Sequence, residues 1–155
     1  MTRLYGRAPT GARGVGRMPQ NYGRHVTILG APGVHGLHAV MTVEGPTDTG
    51  ALRAYGEQVL GPTLRPGDVV VMDNLRAHRA AGVQQALARR GARLLYLPPS
   101  SPALPPVEPC GCEVKTALRK AKARTRGALD RAITGSLVTI TPSDAHGWFR
   151  HCGYT

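Results

Sequence analysis

Acidic side chains are scarce in this sequence: 9 Asp and Glu stand against 20 Lys and Arg over 155 residues, a formal charge of +11. That imbalance implies a polyanionic partner, most simply nucleic acid held by a salt-sensitive attraction. Charge alone does not separate DNA from RNA. Aromatic residues are equally sparse, at 5% with a single Trp and a single Phe, so a chain that is 41% hydrophobic has few large anchors for its core. Its length still suffices for one domain with a real core. Cysteine is limited to Cys110, Cys112 and Cys152. A small odd number without a secretory leader argues against a disulfide framework and fits a reducing compartment. The opening residues 1–7 have no apolar leader core. No run approaches the roughly 18 apolar residues of a membrane span. A cytoplasmic protein without membrane contact is expected.

What is present organises as an arm and a domain. Residues 1–24 hold five Arg, five Gly and two Pro with no apolar periodicity, and read as a basic Gly/Arg-rich arm or loop. Residues 25–155 read as one α/β domain. Segment 25–31 is an apolar strand, a turn follows at Pro32-Gly33, and 37–43 is a second strand, antiparallel to the first because the link is short. Thr47 or Asp48 offers a helix cap, with Leu52, Tyr55 and Val59 at helical spacing after it. The unbroken run Val69-Val70-Val71-Met72 suits a central strand buried on both faces. A helix over about 77–90 stops at Gly91, and 92–97 forms another strand. Residues 98–109, with six prolines in twelve positions, are expected to be irregular. Val114, Ala117, Leu118 and Ala121 mark one face of a later helix, and Leu129, Ile133 and Leu137 mark another. Thr141-Pro142-Ser143-Asp144 combines a cap, a proline at the first helical position and an acid at the third.

Asp73 closes the valine-rich strand, so its carboxylate is expected at the C-terminal edge of the sheet, where open α/β sheets hold their ligands. Glu108 ends the proline-rich segment, and 34 residues lie between the two acids. Strand, helix, strand and loop over that length bring the chain back to the same edge. Convergent carboxylates repel unless a cation lies between them, and hard oxygen ligands favour magnesium or manganese. The plainer alternatives are a turn or cap at Asp73-Asn74 and a solvated helix start at Glu108.

These residues carry a resemblance. Val69-Val70-Val71-Met72-Asp73-Asn74-Leu75, with Ala77-His78 after it, resembles the second-acid motif of mariner-like bacterial insertion-sequence transposases, DDE superfamily endonucleases. Leu97-Pro98-Pro99-Ser100-Ser101-Pro102-Ala103-Leu104-Pro105-Pro106-Val107-Glu108 resembles that family's Leu-Pro-Pro-Tyr-Ser-Pro-Asp-Leu-Asn-Pro-Ile-Glu. The gap between the acids is similar too, as are the opening Arg3-Leu4-Tyr5-Gly6-Arg7-Ala8-Pro9, the basic helix and the ending Trp148-Phe149-Arg150-His151-Cys152-Gly153-Tyr154. The resemblance implies an RNase H-like mixed sheet flanked by helices, with three carboxylates holding two Mg2+ or Mn2+ ions. One ion activates water or a 3′-hydroxyl, and the other stabilises the leaving oxygen at the scissile phosphate. Carried over, Asp73 is the second catalytic and metal-binding acid and Glu108 the third. DNA, as transposon ends, is the implied partner, with another transposase chain or a dimer as a further one. Lys115, Arg119, Lys120, Lys122, Arg124 and Arg126 are expected to contact the DNA backbone.

Departures from the family pattern shape the remaining expectations. The family's first Asp precedes the segment that resembles residues 1–9, and the first acid here is Glu44. The N-terminal central strand that carries that Asp is expected to be missing, leaving strands 25–31 and 69–73 with no shared partner and two open edges. A truncated catalytic domain without strand cleavage on its own follows. The alternatives are the downstream half of a frameshifted active transposase and a non-catalytic DNA-binding repressor of transposition. Ala103 and Pro105 replace a family Asp and Asn, and Gly111 replaces a large aromatic. His78 is expected to cap or pack near the Asp73 loop. Cys110, Cys112, His151 and Cys152 match no standard zinc spacing.

Overall fold

The computed structural model describes residues 5–16, 25–74, 78, 81–98 and 105–154. Residues 5–16 are exposed and contain no helix or strand. The domain begins with a hairpin of β1 (Val26–Gly33) and β2 (Gly36–Glu44), antiparallel, from Val26 opposite Glu44 to Gly33 opposite Gly36. The turn lies at Val34-His35, two residues later than expected, and Gly36 after it takes a φ of 126° that residues with a side chain rarely adopt. Leu29 faces Met41 but Ala31 faces His38, so β2 carries one extra residue, and Ala39 in that bulge takes φ 51°.

Alternation sends the hairpin's side chains to two cores. Leu29, Ala31, Ala39 and Met41 pack against the buried cluster of Leu52, Tyr55, Leu60, Val83 and Leu87. From the opposite face, Val26 and Ile28 reach a cluster of Val114, Leu118 and Ile133, and Leu37 reaches Cys110, Ala145 and Trp148. The helix after the hairpin, α1 (Thr49–Ala54), starts where the Asp48 carboxylate accepts the Ala51 N–H at 2.7 Å. It runs on into a π-helical stretch, Tyr55–Leu60, and a 3-10 turn, Gly61–Thr63. At Gly61 a Cβ would lie 2.8 Å from the Gly56 carbonyl oxygen, so this tightening of the chain needs glycine.

The second strand pair is β3 (Val69–Met72) beside β4 (Arg93–Tyr96), parallel and joined through α2 (Ala81–Ala88), which Gly91 terminates at φ 72°. Val70, Met72 and Leu94 point into the same cluster as the hairpin's inner residues. The expectation that β3 is buried on both faces is corrected here. Val69 is 49% and Val71 37% exposed, as is Leu95 at 46%, because among the described residues no helix covers that face. The four strands form two pairs, β1-β2 and β3-β4, with no strand shared between them among the described residues. Antiparallel and parallel pairing together make the strand arrangement mixed, flanked by helices, as expected.

Three helices complete the chain: α3 (Val107–Ala121), α4 (Arg126–Val138) and α5 (Pro142–His151). Residues 98–109 are not irregular throughout, because α3 begins at Val107 and holds Pro109 in its first turn, where the missing N–H has no intrahelical partner to lose. Thr141 and Asp144 cap α5 reciprocally, and the hydrogen bonds from the Thr141 hydroxyl and N–H hold the Asp144 carboxyl below the usual carboxylate range. Among the described residues no helix is long and apolar enough to cross a membrane.

Candidate metal and nucleic-acid site

Asp73 follows the last residue of β3, at the C-terminal edge of the parallel pair, with its side chain 51% exposed. Its carboxylate oxygen Oδ1 is paired with Nδ1 of His78, and the same nitrogen lies 3.4 Å from the Asp73 carbonyl oxygen. His78 is itself held from two other elements. The Tyr96 hydroxyl at the end of β4 donates to the His78 carbonyl oxygen at 2.8 Å, and Gln84 Nε2 on α2 donates to that hydroxyl at 3.0 Å. Next to Asp73, the Asn74 side-chain oxygen Oδ1 is buried with no hydrogen-bond partner among the described residues. Such an acceptor can take a hydrogen bond from water or meet a cation, and an oxygen ligand set suits Mg2+ or Mn2+.

Beyond β4 the chain leaves at this same edge, since the Leu97 N–H donates to the Met72 carbonyl at 2.9 Å. Glu108 lies eleven positions further on, exposed in the first turn of α3, and its N–H donates to the Pro105 carbonyl at 3.1 Å. Ala103 lies outside the described residues. Among those described, no cluster of three or more His, Cys, Asp or Glu is placed to hold a metal.

The six cations expected to meet DNA divide into groups. All are exposed. Helical spacing of seven and four residues puts Lys115 and Arg119 on the face of α3 that Glu108 heads, opposite in character to the buried Cys110, Val114 and Leu118, while Lys122 caps the helix in a left-handed conformation at φ 50°. Lys120 turns instead toward a groove between α3 and α4 lined by Glu113, Thr116 and Ser136. Arg124 lies in the link between those helices. Arg126 is already engaged: its guanidinium pairs with Glu44 on β2 and, at 2.9 Å, with Asp130.

Cys110 is buried against Ala145 and Trp148, and burial together with the Glu113 carboxylate pushes its thiol up to about 11. It is a neutral core side chain. Sequence reasoning did not anticipate the Tyr96 contact to His78 or the Gln84 contact to Tyr96. An aromatic with a polar tip closing a strand was their only signal.

The sequence model of one family, described as DDE superfamily endonuclease, matches residues 1–130. No curated protein matches the chain. Among solved structures, the Mos1 strand transfer complex aligns with a TM-score of 0.74 at 12% identity, over 98% of this chain and 47% of the Mos1 chain. The Mos1 paired-end complex with left transposon end gives 0.74 at 11%. The Mos1 mariner paired-end complex with Mn gives 0.71 at 13%. The chain therefore has the RNase H-like fold of that transposase and spans about half its length.

Proposed function

The chain belongs to the DDE superfamily endonucleases, and from that premise we propose that it serves DNA transposition, binding transposon DNA and a divalent cation through Asp73 at the end of β3 together with Glu108 in the first turn of α3. The observation that carries this is the path of the chain around Met72: Asp73 leaves β3 there, Leu97 returns beside it, and Glu108 follows at the head of a basic helix face. Asp73 and Glu108 are the residues that would hold Mg2+ or Mn2+, with the Asn74 side-chain oxygen Oδ1 next to Asp73 in the chain. A bound divalent cation supplies electrostatic stabilisation of charge developing at a scissile phosphate. Lys115 and Arg119 attract the DNA backbone toward Glu108 without reading sequence. Lys120, Lys122 and Arg124 add to the field at the far end of α3. Arg126 contributes less, since its charge is partly neutralised by Glu44 and Asp130. Residues 1–24, with five Arg and no acidic residue, would add positive charge as a basic arm. A second transposase chain and a cytoplasmic setting belong to the same reading.

Titration with Mn2+ followed by electron paramagnetic resonance tests the acids. Asp73→Asn and Glu108→Gln should each weaken one and the same site. If either leaves the affinity unchanged, the two carboxylates do not share a cation and the reading fails. For DNA, Lys115→Gln with Arg119→Gln should weaken binding to every duplex alike and reduce the slope of log affinity against log salt by about 2.

A further inference from the structure

We infer that His78 is a positioning residue for Asp73, locked by Tyr96 and Gln84, so that a relay across three elements fixes the direction in which the Asp73 carboxylate meets a divalent cation. This rests on the reading of Asp73 as a cation ligand.

The direction of each hydrogen bond follows from chemistry. Both neighbours of His78 Nδ1, the Asp73 carboxylate Oδ1 and the Asp73 carbonyl, are oxygens that only accept, so Nδ1 carries the hydrogen. The Tyr96 hydroxyl has one hydrogen, spent on the His78 carbonyl, and its lone pair receives the Gln84 amide. The Nδ1 hydrogen thus faces two oxygens of the one residue Asp73, the Tyr96 hydrogen faces one, and the relay has one sense. Its purpose follows from the carboxylate it ends on. Rotation of a half-exposed carboxylate about its last side-chain bond is soft, with broad two-fold wells. A ring nitrogen fixed on one oxygen sets the direction of both. Closing a local turn would require only His78 and Asp73. Here a tyrosine 18 residues away on β4 and a glutamine on α2 immobilise the histidine backbone. With Nδ1 committed to Asp73, the ring is an orienting group rather than a base acting through that nitrogen.

The test is Mn2+ titration of the full chain by electron paramagnetic resonance, with the His78 ring read by 15N magnetic resonance in the cation-free protein. The Nδ1-protonated form is expected. His78→Ala should raise the Mn2+ dissociation constant roughly tenfold or more, the usual effect of removing an orienting partner of a ligand. His78→Asn, whose amide nitrogen takes the Nδ1 position, should restore most of the affinity. Tyr96→Phe should give an intermediate loss. Three outcomes overturn the proposal alone, with Asp73→Asn still abolishing binding: an Nε2-protonated neutral ring, His78→Ala at wild-type affinity, or His78→Asn as weak as His78→Ala. If Asp73→Asn itself leaves Mn2+ binding unchanged, the ligand reading falls and the positioning role with it.

Discussion

Both strand pairs are rich in branched aliphatic side chains, yet they are packed differently. The β1-β2 hairpin lies between two layers, with Leu29 and Met41 on the cluster around Leu87 and Val26 and Ile28 on the cluster around Val114. The β3-β4 pair has one covered face, carrying Val70, Met72 and Leu94, and one open face, carrying Val69, Val71 and Leu95. All three C-terminal helices follow β4 in the chain, but those whose packing partners are strands lie on the hairpin: Leu37 meets the α3–α5 cluster and Val26 the α3–α4 cluster. The contrast teaches that an apolar run specifies a strand, while the number of its buried faces is set by segments far away in sequence. It also bears on the site. Asp73 ends the less covered pair, so its surroundings are ordered by hydrogen bonds from Tyr96 and Gln84 more than by packing.

The largest effect that would probe this comparison is expected at the core both pairs share. Leu87 is fully buried beneath them, and Leu87→Ala should cost about 2–5 kcal/mol in denaturant unfolding. Because one cluster supports both pairs, hydrogen exchange in this variant should accelerate in β1-β2 and β3-β4 together. Exchange that accelerates in β3-β4 alone would mean that the pairs are held independently.

A smaller effect compares the faces themselves. Ile28→Val, trimming a methylene from the hairpin's outer face, should cost about 0.5–1.5 kcal/mol. Val71→Thr, on the open face of β3, should stay within about 0.5 kcal/mol of wild type. Equal costs at the two positions would show that the β3-β4 face is covered in solution, and the comparison would break.

Much of the fold was legible in sequence, and the remainder was hidden for identifiable reasons. The strands, the Asp48 and Thr141 caps and the Gly91 stop are local features, written in periodicity and turn chemistry, and the structure reproduces them within a few residues. The open face of β3 was not legible, because Val69-Val70-Val71-Met72 reads the same whether one face or two are covered. Nor was the bulge at Ala39, which no glycine or proline marks. At the site, Asp73 and Glu108 stood out through their motifs and their spacing. The engagement of Arg126 with Glu44, 82 residues away, and the tie from Tyr96 to His78, 18 residues away, depend on tertiary placement that charge patterns do not encode.

A further small effect, stabilising this time, is expected in α3, which packs on the hairpin. Gly111 stands where the resemblance places a large aromatic, and a Cβ built there meets nothing within 4 Å. The helix thus carries the entropic penalty of glycine with no close approach to justify it. Gly111→Ala should stabilise the protein by about 0.5–1 kcal/mol, seen as a rise in melting temperature of about 2–4 °C per kcal/mol for a chain of this size. A loss of stability instead would mean that the space beside Gly111 is filled in solution by another segment or chain. The outer surface of α3 would then be a packed face like the hairpin's, and the division between a covered half and an open half would have to be redrawn around it.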